Sequence, residues 1–154
     1  MRNWHWPDEA ACAAWANALA RHDATCRAFI RLQGPLGAGK TTLARHLLRA
    51  LGVQGRIKSP SYAVLESYAL PGGGQASHFD FYRFNDPREW LDAGFRDVFA
   101  SPGLKLVEWP ERAEGLLPTA DLHISLDPLD DNARQVSVLA GTALGRQILT
   151  TLPP

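Results

Sequence analysis

Apolar residues recur at Ala11, Cys12, Trp15, Ala18 and Leu19, the three-and-four spacing of a helix with one buried face. Asp8 stands before it as an N-cap, and Glu9 occupies its first turn. Ala28-Phe29-Ile30-Arg31-Leu32 is a short apolar run ending at Gly34, which predicts a buried strand. The helical period returns over Thr41 to Leu51 with Leu43, Leu47, Leu48 and Leu51 on one face, and Gly52 closes it. Tyr62 to Leu70 and Ser77 to Phe84 read as extended, and Pro71-Gly72-Gly73-Gly74 between them predicts an antiparallel hairpin.

Beyond the hairpin the elements shorten. Asp86-Pro87 opens a short helix through Ala93, closed by Gly94, and Phe95 to Ala100 adds another helical turn. Leu104 to Trp109 is a strand broken by Pro110. Leu122 to Leu126 and Gln135 to Leu139 alternate polar with apolar, predicting a second antiparallel pair around Asp130-Asp131-Asn132. Thr142 to Leu152 is a terminal helix. The predicted fold class is α/β: a phosphate-loop NTPase-like domain with a mostly parallel central sheet, antiparallel hairpin additions and flanking helices.

The 154 residues suit a single domain over 1–154, since domains run to about 100–150 residues. The 16 basic residues cancel the 16 acidic ones, which excludes a dominant polyanion-binding surface. Only Lys40, Lys58 and Lys105 are lysines, so the position of each is informative. Cys12 and Cys26 are too few for a disulfide framework and point to a reducing compartment. Ala10 to Ala20 is too short to span a bilayer and follows two acids rather than a basic segment. A cytoplasmic protein without membrane attachment is expected.

Gly34-Pro35-Leu36-Gly37-Ala38-Gly39-Lys40-Thr41 matches the phosphate-loop pattern, and it lies between a predicted strand and a predicted helix. Backbone N–H groups from about Gly37 to Thr42, through Ala38 and Gly39, must turn inward around a β-phosphate. Only small residues permit that approach. The helix adds the positive end of its dipole. Lys40 supplies a cation to the β- and γ-phosphates, and the Thr41 hydroxyl suits Mg²⁺. Such a loop needs a carboxylate at a neighbouring strand end. Asp80, in His78-Phe79-Asp80-Phe81-Tyr82-Arg83, and Glu108, closing Leu104 to Val107, are equal candidates for that metal role. Phe79 and Phe81 are expected to face the core and turn Asp80 away from it.

Other polar residues have blander readings. Ser59-Pro60-Ser61 reads as a proline turn, or as a switch-like segment facing the γ-phosphate. His78 and Tyr82 share a face with Asp80 and read equally as its hydrogen-bonding support or as the polar face of an amphipathic strand. Arg83 is expected to pair with Asp86 or Glu89, ahead of the alternative of reaching a phosphate. Trp109 reads first as packing and second as lining the nucleotide site, and His5, His22, His46 and His123 lack metal-ligand spacing.

The blocks GPLGAGKTT, SPSY, HFDFYRF and LVEWPER, in this order, resemble the TsaE (YjeE) family across about 28–118. The resemblance implies the ATPase component of the bacterial machinery that makes threonylcarbamoyladenosine in tRNA. It implies ATP and Mg²⁺ as cofactors, TsaD and TsaB as protein partners, and tRNA reached only through that complex. Gly37 to Thr42 would hold the phosphates, with Lys40 on the γ side and Thr41 on Mg²⁺. Asp80 would be the acid at the metal and attacking water, and Glu108 the second metal-associated acid. The catalytic set implied is therefore Lys40, Asp80 and Glu108, with Thr41, Asp80 and Glu108 at the metal. Three positions depart from the family pattern: Pro35 for aspartate, Ser61 for threonine, and Cys12-Ala13 near an expected threonine.

Two other functions share the loop. A small-molecule kinase needs an acceptor pocket and an arginine-bearing lid, yet the region after Leu116 carries arginines only at Arg134 and Arg146. A nucleotide-dependent conformational switch for GTP would add N-K-x-D and D-x-x-G motifs, which do not follow the loop. With no complete arginine finger in the sequence, weak hydrolysis in isolation and stimulation by partners are expected.

Overall fold

In the computed structural model the backbone is described for residues 1–154, and every side chain except those of Pro87, Leu91, Asp92 and Asp131. Seven strands form one sheet: β1 (Arg2–Trp6), β2 (Phe29–Gln33), β3 (Leu65–Ala69), β4 (Gln75–Asp80), β5 (Leu104–Glu108), β6 (Leu122–Pro128) and β7 (Arg134–Ala140). Their order across the sheet is β1-β7-β6-β2-β5-β4-β3. The four central strands β6, β2, β5 and β4 run parallel, while β3 and the β7–β1 pair are antiparallel additions. Five helices accompany them: α1 (Glu9–Ala20), α2 (Lys40–Ala50), α3 (Pro87–Asp92), α4 (Phe95–Ala100) and α5 (Ala143–Thr151). Among the described residues, no helix is long and apolar enough to cross a membrane.

Strand alternation divides the core into two clusters. Ile30, Leu32, Leu104, Leu106, Leu122 and Ile124 bury one sheet face beneath α1, α2 and α5. Leu43, Leu47 and Leu48 of α2 are at most 2% exposed there; full burial of such a side chain stabilises by about 1.5–3 kcal/mol. Phe29, Phe79 and Val107 point the other way, into an aromatic cluster with Phe81, Trp90 and Phe95. β5 is thus buried on both faces along its whole length, Lys105 and Glu108 included. On β6, Leu122, Ile124 and Leu126 are buried, while His123 and Ser125 alternate with them and line an open depression of about 570 Å³ with Gln33, Trp109 and Leu139.

Several expected boundaries shift. β1 lies in a stretch where no strand is expected from sequence. It joins the sheet edge by pairing Trp6 with Arg134, a contact 128 positions away that no local period reveals. β3 begins only at Leu65, because Val64 adopts φ 69° and its N–H bonds to the Pro60 carbonyl, so Tyr62 belongs to a turn. β4 stops at Asp80 rather than Phe84: the Phe84 N–H closes a turn on the Phe81 carbonyl, which folds both rings into the aromatic cluster. At the short helix, the Asp86 carboxylate accepts the Arg88 N–H as the sequence predicts.

Candidate functional site

β2 leaves the centre of the sheet and meets α2 through 34–39. At the first loop position a Cβ on Gly34 would stand 2.5 Å from the Leu126 carbonyl oxygen of β6, so only glycine fits. At the last, Gly39 caps α2 with φ +104°, a left-handed conformation that glycine adopts without strain. Lys40, Thr41 and Thr42 form the first turn, whose N–H groups have no carbonyl four residues back, and they sit at the positive end of the helix dipole. One expected cradle amide is committed elsewhere: the Ala38 N–H donates to the Pro35 carbonyl at 3.1 Å, closing a turn inside the loop.

The Lys40 side chain is 5% exposed. Its ammonium donates to the Gly34 carbonyl and lies 3.6 Å from the centroid of the Trp109 ring. Burial pushes its pKa below the ordinary lysine value, and the negative charges of Glu108, Glu111 and Asp80 oppose that shift.

Two strand ends deliver the carboxylates. In the parallel β4–β5 pair, Asp80 is in register with Glu108; in the β2–β5 pair, Glu108 is in register with Leu32 at the loop's root. Both acids therefore arrive at the edge from which the loop springs. Thr41 Oγ1 lies 2.8 and 3.0 Å from the two Glu108 oxygens, and the hydroxyl donates to the carboxylate. His78 Nε2 lies 2.7 Å from Glu108 Oε2, with both side chains almost completely buried. Asp80 Oδ1 accepts the Tyr82 N–H at 2.9 Å. Burial pushes the Asp80 carboxyl above its ordinary value, the Tyr82 N–H pulls it back, and the nearby Glu108 charge adds to the rise. Gly37, Lys40, Thr41, Asp80, Glu108 and Trp109 line one cavity of about 290 Å³, and Ser61 reaches its wall.

The structure thus gathers Gly37, Ala38, Gly39, Lys40, Thr41, Thr42, Asp80 and Glu108 around that cavity. It also redraws several supporting roles. His78 bonds Glu108 rather than Asp80, because the register sets it beside β5 while Asp80 turns to its own Tyr82 amide. The Tyr82 ring packs at a tilt of 52° against Trp109, 4.9 Å between centroids, instead of holding Asp80. Arg83 does not pair with Asp86 or Glu89: its guanidinium lies over the Tyr62 ring at 4.4 Å, and Asp86 is met by Arg88 instead. Trp109 is more than packing, since it adopts φ 56° directly after Glu108 and sets its ring against Lys40. Ser59 and Ser61 bond to each other at 2.7 Å.

One contributor escaped the sequence entirely. Arg134, at the start of β7, donates from Nε to the Ala38 carbonyl at 2.7 Å and from a terminal nitrogen to the Gly37 carbonyl at 3.2 Å. It also borders a second cavity of about 340 Å³ with Trp6, Glu9, Cys12, Gly39 and Thr42. Only the pairing of β7 with β1 and β6 brings it there, and no motif marks it.

Among the described residues, no group of three His, Cys, Asp or Glu side chains could hold a metal ion unaided. Mg²⁺ does not require one, because it is held by one or two carboxylates together with waters and phosphate oxygens. A hydroxyl whose proton is taken by Glu108 keeps its lone pairs for a hard cation, so the donors present fit Mg²⁺.

The chain is 44% identical to the tRNA threonylcarbamoyladenosine biosynthesis protein TsaE of Haemophilus influenzae, over 79% of this chain and 76% of that one. It is 33% identical to the protein of the same name from Bacillus subtilis, over 72% and 68% respectively. The crystal structure of YdiB from Bacillus subtilis superimposes with a TM-score of 0.78 at 24% identity, covering 97% of this chain and 91% of that one, and so shares the fold. The family described as Threonylcarbamoyl adenosine biosynthesis protein TsaE matches residues 6–136. With the loop and both acids inside that match, the chain belongs to the TsaE family.

Proposed function

We propose that this protein binds and hydrolyses ATP with Mg²⁺ as a component of tRNA threonylcarbamoyladenosine biosynthesis, acting with TsaD and TsaB. The reading rests above all on Thr41 and Glu108: a phosphate-loop hydroxyl donates to a buried strand-end carboxylate at 2.8 Å. In this reading the N–H groups of Gly39, Lys40, Thr41 and Thr42 receive the phosphates, and Lys40 neutralises the β–γ side. Thr41 and Glu108, with Asp80 beside them, hold Mg²⁺, which neutralises charge developing on the phosphate oxygens. His78 keeps the Glu108 carboxylate in one orientation through its Nε2 contact. Asp80, lining the same cavity, orients the attacking water. The nucleoside end occupies the second cavity, against Trp6 and Thr42. tRNA is reached only through the complex.

The cation of Arg134 lies behind the loop, bound to the Ala38 and Gly37 carbonyls, and in this reading it is not a fingertip that meets the transition state. Hydrolysis alone is accordingly slow. Phosphate release is to be measured for the chain alone and with TsaD and TsaB; stimulation of about tenfold or more supports the reading. Equal rates in both conditions count against the partner assignment, and no hydrolysis in either removes the ATPase.

A further inference from the structure

We infer that Arg134 is a positioning residue that latches the phosphate loop to β7 and so sets its affinity for the triphosphate tail. This deepens the nucleotide reading and rests on it. A phosphate loop has two sides. Its amides must face the anion, and its carbonyls must then find donors elsewhere. Arg134 supplies those donors. Its guanidinium reaches the Ala38 carbonyl at 2.7 Å, the Gly37 carbonyl at 3.2 Å and its own neighbour's Ala133 carbonyl at 2.9 Å. A planar trans peptide points its C=O and its following N–H to opposite sides. Holding the Ala38 carbonyl therefore turns the Gly39 N–H away from Arg134.

The latch has a rigid base. Arg134 is in register with Trp6 on one side and Pro128 on the other, so its backbone is fixed between two strands. Among the described residues, no carboxylate forms an ion pair with it, and its charge is held by carbonyl dipoles alone. Arg134 also borders both the phosphate-side cavity and the second one, so it stands where the two meet. Lysine cannot replace it fully, because one ammonium lacks the planar fork that spans two carbonyls.

The test is calorimetric titration of Mg-ATP, inorganic tripolyphosphate and adenosine into the wild-type chain, Arg134→Gln and Arg134→Lys, with a thermal melt of each. Arg134→Gln is expected to weaken ATP and tripolyphosphate about tenfold and Arg134→Lys about threefold, with a clearly smaller loss for adenosine, whose cavity Arg134 only borders. Wild-type affinity for tripolyphosphate in either variant overturns the latch. An equal loss for all three ligands also overturns it, since that reports general damage to the fold. If Arg134→Gln does not fold, Arg134→Lys alone decides by the same criteria. A wild-type chain that binds neither ATP nor tripolyphosphate defeats the nucleotide reading itself, and the latch falls with it.

Discussion

The phosphate loop and the carboxylate edge face each other across one cavity, yet they are built in opposite ways. The loop is contiguous: Gly34 to Thr42 takes its shape from glycines at strained or crowded positions and from the start of α2. The carboxylate edge is assembled. Glu108, Asp80 and His78 come from two strands, and only the parallel register of β4 with β5 makes them neighbours. Loss of a loop residue should therefore damage binding, whereas loss of an edge residue should damage turnover with the loop intact.

The sharpest attempt to break this contrast is Lys40→Ala. The variant removes the buried cation of the loop, and nucleotide affinity or hydrolysis should fall about a hundredfold, since a hydrogen bond to a charged group contributes about 1.5–3 kcal/mol. Nucleotide titration and phosphate release check it; near-wild-type values would detach the motif from its chemistry. Glu108→Gln comes next. It keeps the shape while removing the charge beside Thr41, so hydrolysis should drop about a hundredfold or more as ATP affinity changes less than tenfold. Equal losses of both would erase the distinction between the two regions.

A thiol measurement sharpens the loop side. Burial pushes the Cys12 thiol up to about 12, with Glu9 adding to the shift, whereas Cys26 is exposed. Alkylation at neutral pH should modify Cys26 at least about tenfold faster. Mg-ATP should slow Cys12 further without affecting Cys26, because Cys12 borders the second cavity.

The smallest effect concerns the open sheet face. Burial, with the Arg31 charge, holds the His123 pKa below its ordinary 6.5. As pH falls through that value the unfolded chain takes up a proton that the native imidazole resists, so stability is lost on acidification. His123→Gln should flatten the melting temperature against pH by about 2 °C between neutral and mildly acidic buffer. A wild-type slope in the variant would assign the effect elsewhere.

These contrasts follow what was legible in the chain. Asp8, Gly39, Gly52 and the α2 leucines act locally, through capping, φ preference and helical period, and each is readable from a few neighbours. Asp80 and Glu108 were readable as residues at strand ends, but their mutual register was not. β1 stayed hidden because Arg2-Asn3-Trp4-His5-Trp6 becomes a strand only against β7, a tertiary partner near the far end of the chain. Arg134 stayed hidden for the same reason. The Arg83 ion pair was overridden by an aromatic neighbour, Tyr62, which the turn before β3 brings within 4.4 Å.

The most direct test of the central claim is equilibrium titration of the purified chain with Mg-ATP, run beside Lys40→Ala. The account predicts saturable binding of one nucleotide per chain, lost in the variant while its melting temperature without ligand is preserved. No binding by the wild-type chain at millimolar nucleotide, or equal binding by both proteins, would contradict it.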